Sequence, residues 1–555
     1  RRVHGIPNSS AIEFYDFETL GFEFLLSFCL NQLLRCPSVS VQGNLLFSCS
    51  ISFAEMAGIC ISNPISLKPL GVLFSDLGCV FTNDSVGWSI LLIAVPAALA
   101  LAADPVASLI DTAFIGQLGA VDLAAVGVAI AVINQASKIA IFPLVSVTTS
   151  LVAEEDASDD MNSKSLKESL IEVGSVQNEE TEQLLEGQTN NLNNGNSRKQ
   201  RRHFPSATSA LVVASVLGVI QALFLIFFAN VILNYMGISK NSPMLMPAQR
   251  YLVLRSLGSP AVLLSLAKQG VFRGIQDTKT PLYATVVGDV ANVVLDPIFI
   301  FGFRFGVGGA ATAHVISQYI IVVILLWKLN EHVDLLPRSL WDLQFRRFLG
   351  NGFLLLLRVI AATFCVTMSA SLAARHGSTS MAAFQICLQI WLASSLLADG
   401  LGVAGQAMLA SAFTRHDFGQ ARAVASRVLQ LSMILGLSLC GILLVGLPVA
   451  CRLFTKDSSV LELVGVGIPF VAATQPINVL AFVLDGVSYG ASDYAYSAYS
   501  MVVVALVSLI CLIGLSSAFG FVGIWISLTI FMSLRAVAGL CRIGTGMGPW
   551  RFLRS

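Results

Sequence analysis

Two aspartates, Asp104 and Asp111, lie in one apolar run that also contains Pro96 and Pro105. A separation of seven residues is close to two helical turns, so the carboxylates share a face, about 10 Å apart along the axis. A bare carboxylate in mid-bilayer costs at least about 2.5–3.5 kcal/mol, so two on one face call for a polar interior and, by default, a functional one. Asn292 and Asp296 are four apart in another apolar run and also share a face. Pro297 follows Asp296 and loosens the backbone there. Carboxylates gathered in a low-dielectric site compete for charge, so one of them can titrate near physiological pH. Such a site carries a proton, or its oxygens hold Na⁺ instead.

Buried bases point to the opposite sign of ligand. Lys138 and Arg358 both lie within apolar runs. Arginine suits bidentate recognition of a carboxylate, and lysine supplies a point charge. With Gln385, Gln389, Gln475 and Asn478 as polar contacts, they are expected to attract a polycarboxylate. The competing reading is an internal pair with a buried aspartate. Asp399, Asp485 and Asp493 lie near helix ends, and structural roles are expected for Asp399 and Asp493. The 11 cysteines include no C-x-x-C pair and no Cys/His ligand spacing, so they read as small apolar filler. No metal site and no cofactor is expected beyond H⁺ or Na⁺ as coupling ion.

The elements that position these residues follow from composition. Of 555 residues, 55% are hydrophobic and only 12% charged, with zero net charge and a mean hydropathy of +0.77. Soluble chains carry about 25% charged residues. The deficit and the long apolar runs predict an all-α polytopic membrane protein, and zero net charge gives no reason to expect a nucleic-acid partner. Twelve runs are spaced along the chain: 88–114, 123–152, 207–233, 248–272, 282–303 and 307–327, then 348–374, 381–413, 421–447, 461–487, 495–517 and 519–541. Residues 1–84 fit no span and read as a poorly defined tail, a transit peptide or a gene-model artefact. The acidic, Asn-rich and basic blocks of 154–205 read as a disordered loop. Residues 331–347 link the halves, and 542–555 form a C-terminal tail. Placing both termini and the long loop in the cytoplasm puts seventeen Lys and Arg inside against six outside.

An internal repeat fixes the architecture. Pro260/Pro476, Gly270/Gly486, Gly274/Gly490 and Asp277/Asp493 share an offset of 216, and Gly306/Gly520 and Gly309/Gly523 one of 214. Earlier, Gly119/Gly377, Ala124/Ala382 and Ala125/Ala383 share 258. The change from 258 to 216 is close to the length of the polar loop, which lies between these landmarks in the first half only. Two six-helix lobes, 85–330 and 348–541, are therefore expected, related by a pseudo-two-fold along the membrane normal. Such a pair suits alternating access around a central path. Asp104 and Asp111 correspond to Ala362 and Ser369, so the chemistry is asymmetric where the fold is symmetric.

From about residue 84 onward the chain resembles the multidrug and toxic compound extrusion (MATE) transporters. The resemblance rests on Asp111-Thr112-Ala113-Phe114-Ile115-Gly116-Gln117-Leu118-Gly119 with Leu123-Ala124-Ala125-Val126-Gly127, on Arg273-Gly274-Ile275-Gln276-Asp277-Thr278-Lys279-Thr280-Pro281, and on Asn292-Val293-Val294-Leu295-Asp296. More narrowly, Ala102 to Asp111, Phe142 to Ser150, Glu154-Glu155-Asp156, Gly377 to Gln385 and Leu396 to Leu401 resemble the plant, aluminium-tolerance type branch that exports citrate. The resemblance implies a cation-sensitive cluster at Asp111, Asn292 and Asp296, to which Asp104 is added from its own position. It also implies a loop motif that gates the carrier, carried by Arg273, Gly274, Asp277, Thr278 and Pro281. The expected function is a cation-coupled antiporter exporting a citrate-like anion, working as a single chain in the bilayer, in the plasma membrane or otherwise the plastid envelope. The alternatives are a MATE exporter of cationic or phenolic metabolites, a twelve-helix carrier of another architecture, or a non-transporting receptor. A major-facilitator loop after the second run is absent, and no Ser/His/Asp set, H-E-x-x-H or phosphate loop suggests an enzyme.

Overall fold

The computed structural model describes residues 85–174, 204–236, 238, 241–333, 345–454 and 458–554. Apolar backbone in lipid must satisfy its own hydrogen bonds, and the chain does so with helices. In order these are α1 (Ser85–Gly116), α2 (Ala120–Gly174), α3 (Pro205–Phe227), α4 (Ala229–Tyr235), α5 (Leu245–Ser256), α6 (Ser259–Gly274), α7 (Lys279–Pro297), α8 (Val307–His332), α9 (Phe345–Arg375), α10 (Ser378–Thr414), α11 (Phe418–Phe454), α12 (Ser458–Ala473), α13 (Gln475–Gly490) and α14 (Tyr494–Gly544). A π turn, Ile298–Gly302, extends α7. Among the described residues, eight helices are long and apolar enough to cross a membrane, and the α12–α13 pair, bent by 49°, adds a ninth span. The helix α14 is two spans joined at Gly520; α2 and the α5–α6 pair complete twelve. Outward apolar side chains such as Ile220, Val323 and Ile510 make the lipid-facing surface.

The repeat is written into the backbone. Gly306 and Gly520 open the sixth span of each lobe with nearly the same left-handed geometry, φ 56 and φ 57. Between the fourth and fifth spans, Gln276 (φ 62) and Ser492 (φ 53) make matching left-handed turns. The fourth span is broken in both lobes where a new helix starts at Pro260 or Pro476, since proline is tolerated in a first turn and not in an interior. Each broken span then lies against the second span through two glycines. An added Cβ at Gly274 would meet Thr149 O at 2.9 Å, and one at Gly486 would meet Gly402 O at 2.3 Å.

Several expectations need correction. The run at 248–272 is two helices, and that at 207–233 is α3 followed by the short α4. The loop expected to be disordered from Glu154 begins as helix: α2 continues to Gly174. Its Ala, Met, Lys, Leu and Glu have good helix propensity, and Asp160 is held by Arg415 at 2.9 Å. The C-terminal tail folds back, burying Trp550 against Phe413. Residues 1–84, 175–203 and the core of the linker, 334–344, lie outside the described residues.

The two lobes meet along α1 with α10 and along α2 with α9 and α10. Contact is close at Gly400, where an added Cβ would lie 2.6 Å from that of Ala98. Hydrogen bonds between the lobes lie at the end where positive loop residues concentrate. Arg347 donates to Glu154 at 2.5 Å, and Ser492 Oγ donates to the same carboxylate at 2.5 Å. Gln406 Nε2 reaches Ser146 O (2.7 Å) and Ser150 Oγ (2.8 Å), and Ser150 Oγ donates to Tyr489 O at 2.9 Å. Toward the other end, Val106, Leu109 and Ile110 of α1 and Phe364 of α9 are exposed.

Candidate functional site

In the first lobe, α1 and α7 run side by side in the same direction. Thr278 Oγ donates to Ile93 O at 2.9 Å, and the same offset of 185 places Asp296 beside Asp111. Asn292 Nδ2 donates to Asp111 Oδ1 at 2.5 Å and lies 3.4 Å from Asp296 Oδ2. All three residues are buried, Asp296 completely. Asn292 Oδ1 and Asp296 Oδ1 have no hydrogen-bond partner. An unpaired amide oxygen and an unpaired carboxylate oxygen, both buried beside a second carboxylate, are chemically able to take a proton or a small cation. Asp289 lies on the same face of α7, three residues before Asn292, and feels the charges of Asp104 and Asp111. Asp104 is exposed and does not join the Asn292 bonds. Across from these acids stands Arg255 of α5, hydrogen-bonded to the Tyr251 hydroxyl and within electrostatic range of Asp104, Asp111 and Asp296.

The second lobe has the opposite balance. Asp485 of α13 bridges two guanidiniums, Arg358 of α9 and Arg535 of α14. Arg358 also donates to the carbonyl of Ser497 at 3.3 Å and to its hydroxyl, and lies 5.4 Å from the Tyr489 ring centre. Arg535 stacks on Phe482 at 4.3 Å. These three charged residues line one small cleft. Arginine tolerates such burial because its planar cation is weakly hydrated and stacks on aromatic faces.

Comparisons with known proteins agree with this architecture. The family model described as MatE matches residues 193–298 and 355–513. Protein DETOXIFICATION 42 of Arabidopsis thaliana is 60% identical over 503 residues, covering 88% of this chain and 98% of that protein. The chain belongs to the MatE family. Protein DETOXIFICATION 44, chloroplastic, of the same plant is 44% identical, covering 85% of this chain and 84% of its own. Among solved structures, a MOP superfamily transporter from Pyrococcus furiosus superposes with a TM-score of 0.69 at 17% identity, covering 87% of this chain and 98% of its own. The Vibrio cholerae MATE transporter VcmN gives 0.68 at 16%, covering 85% and 97%. The MatE chain is thus an integral membrane transporter of small molecules with twelve membrane spans in two lobes, and not an enzyme.

Within this MatE fold the expected site residues fall into separate groups. Asp111, Asn292 and Asp296 come together, with Asp104 to one side. Arg358 is held by Asp485, the internal pair that was the competing reading, and no hydrogen bond joins it to the four amides expected beside it. Gln475 Nε2 donates to Val471 O at 2.9 Å, and Asn478 Nδ2 lies 3.5 Å from Thr474 Oγ. Gln385 and Gln389 are exposed on α10. The side chain of Lys138 lies outside the described residues. In the loop motif, Asp277 accepts the free amides of Lys279 and Thr280 at 3.1 Å each and so caps α7. Arg273, Gly274, Thr278 and Pro281 are buried around it. Sequence reasoning passed over Arg255, Asp289 and Arg535, although each is an ionisable residue inside an apolar run, the signal that exposed Asp104 and Arg358.

Proposed function

We propose that this transporter exports an organic acid anion of the citrate class in exchange for H⁺ or Na⁺, by alternating access. The observation that carries this reading is the division of charge. Acids outnumber Arg255 in the first lobe, whereas two arginines share Asp485 in the second. The cation enters at Asp111, Asn292 and Asp296, with Asp104 and Asp289 along its approach. Its arrival neutralises the acids and releases the hold of Arg255 upon them. By linkage, the ion drives transport only through its different affinity for the two states.

The excess of Lys and Arg at the latched end favours a cytoplasmic position for that end and for both termini. The latch joining Glu154 to Arg347 and Ser492 is then the inner gate, closed, with the outer halves of the lobes apart. The plasma membrane is the location this reading implies, and imaging the tagged full-length protein in plant cells tests it.

The functional test is flux in proteoliposomes with imposed pH or Na⁺ gradients. Labelled citrate should move with one gradient in the wild type, and Asp111→Asn should abolish the gradient dependence. Unchanged gradient dependence in that variant removes the coupling assignment. Flux of an organic cation without citrate flux replaces the anion reading by that of a cation exporter.

A further inference from the structure

We propose that Arg358 and Arg535 form a carboxylate-binding site which Asp485 occupies in the latched state and vacates for a ligand carboxylate when the latch opens. This rests on the anion-export reading above and names where the anion would dock.

Three observations carry it. The first is charge: two arginines share a single bridging aspartate, these three are the charged residues among those lining the cleft, and the nearby acid Asp399 acts on Arg535 from within electrostatic range rather than by lining the cleft. Were Asp485 to leave, both buried guanidiniums would lose their direct carboxylate partner, which is costly unless another anion takes its place. The second is geometry. Asp485 takes one nitrogen from each guanidinium rather than both from one, and Arg535 Nε is buried without a partner. Part of a bidentate fork is therefore left for a second carboxylate. The Asp485 side chain is 15% exposed against 6% for Arg358 and 11% for Arg535, so it is the most exposed of the three.

The third observation couples the site to the gate. Asp485 sits on the last turns of α13, and the same stretch is tied to the first lobe. Ser150 of α2 donates to Tyr489 O, and Ser492 donates to Glu154. The Tyr489 ring packs on Arg358. Separation of the lobes at this end breaks both ties and frees α13 to carry its carboxylate away from the arginines. Asp485 thus stands in for ligand while the gate is shut and keeps the arginine pair from being left bare. A polycarboxylate has the reach to engage both guanidiniums in its place.

Binding of labelled citrate to the purified full chain in nanodiscs tests this, with proteoliposome flux in parallel. Asp485→Asn should bind citrate at least about tenfold more tightly than wild type, because the internal competitor is gone. Arg535→Gln should bind at least about tenfold more weakly, with Arg535→Lys between it and wild type. Should Asp485→Asn fail to fold because the arginines repel, the double variant Asp485→Asn/Arg535→Gln restores the charge balance and should bind no more tightly than Arg535→Gln. Wild-type citrate flux with unchanged affinity in Arg535→Gln, or weaker binding in Asp485→Asn, overturns this site and leaves anion export standing. Absence of wild-type flux for citrate and other polycarboxylates, with flux of an organic cation, overturns the export reading itself.

Discussion

Asn292 joins the two carboxylates of the candidate cation site: its amide nitrogen donates to Asp111 and lies 3.4 Å from Asp296, while its own oxygen stays unpaired. Removing the amide leaves two buried acids facing each other. Asn292→Ala is expected to lower thermal stability, by about 1–3 kcal/mol, and to weaken gradient-driven flux; a melting curve and the flux assay check both. At the latched end, Glu155 accepts bonds from the Ser206 amide (3.2 Å) and hydroxyl (2.7 Å). Burial nevertheless outweighs those donors and pushes its carboxyl up to about 7. The sign follows from linkage: a raised carboxyl contributes stability in full below its free value of 4.5, and that contribution is lost as pH rises through about 7. Melting temperature should therefore fall between pH 5 and 8 in the wild type, and Glu155→Gln should flatten that fall.

Element geometry depends on where helices come close. An added side chain at Gly486 would run into the carbonyl of Gly402, whereas nothing lies within 4 Å of the equivalent position at Gly441. Gly486→Val is expected to cost upwards of about 1–3 kcal/mol through overpacking of α13 on α10. Gly441→Ala, in an open helical position, should be neutral or stabilise by up to about 1 kcal/mol. Thermal melting of the two purified variants compares them directly. The same close packing explains why glycines were good landmarks of the repeat: they mark where one span presses on the backbone of another. The break of the fourth span at Pro260 and Pro476 was less legible, since apolar composition runs straight through it. Likewise the continuation of α2 past Val152 was hidden, because acidic, polar residues suit an exposed helix as well as a loop.

For the whole molecule, the latch predicts how the carrier is trapped. Glu154 and Ser492 touch across the lobes through the long glutamate side chain, so a Glu154→Cys/Ser492→Cys pair should be joined by a short, reducible bis-methanethiosulfonate cross-linker rather than by a direct disulfide. Transport should stop when the link forms and return on reduction. Free transport through a quantitatively cross-linked sample would show that the lobes do not part there. The lobes have equivalent spans but differently arranged charge, so a symmetric fold carries asymmetric chemistry.

Sequence alone determined the class of structure. A chain this apolar has helices as its route to paired backbone in lipid, and repeated glycines and prolines at constant offsets marked two equivalent lobes. It also marked Asp111 and Asp296, because a carboxylate inside an apolar run stands out at any position, and Asn292, because it lies one helical turn before Asp296. Which ionisable residues meet was decided by tertiary structure. Asp485 lies more than a hundred residues after Arg358 and fifty before Arg535, and no local spacing announces that three spans bring them to one point. Arg358 looked like a free cation for the same reason: periodicity reports the face of a helix, and only packing reports what stands opposite it.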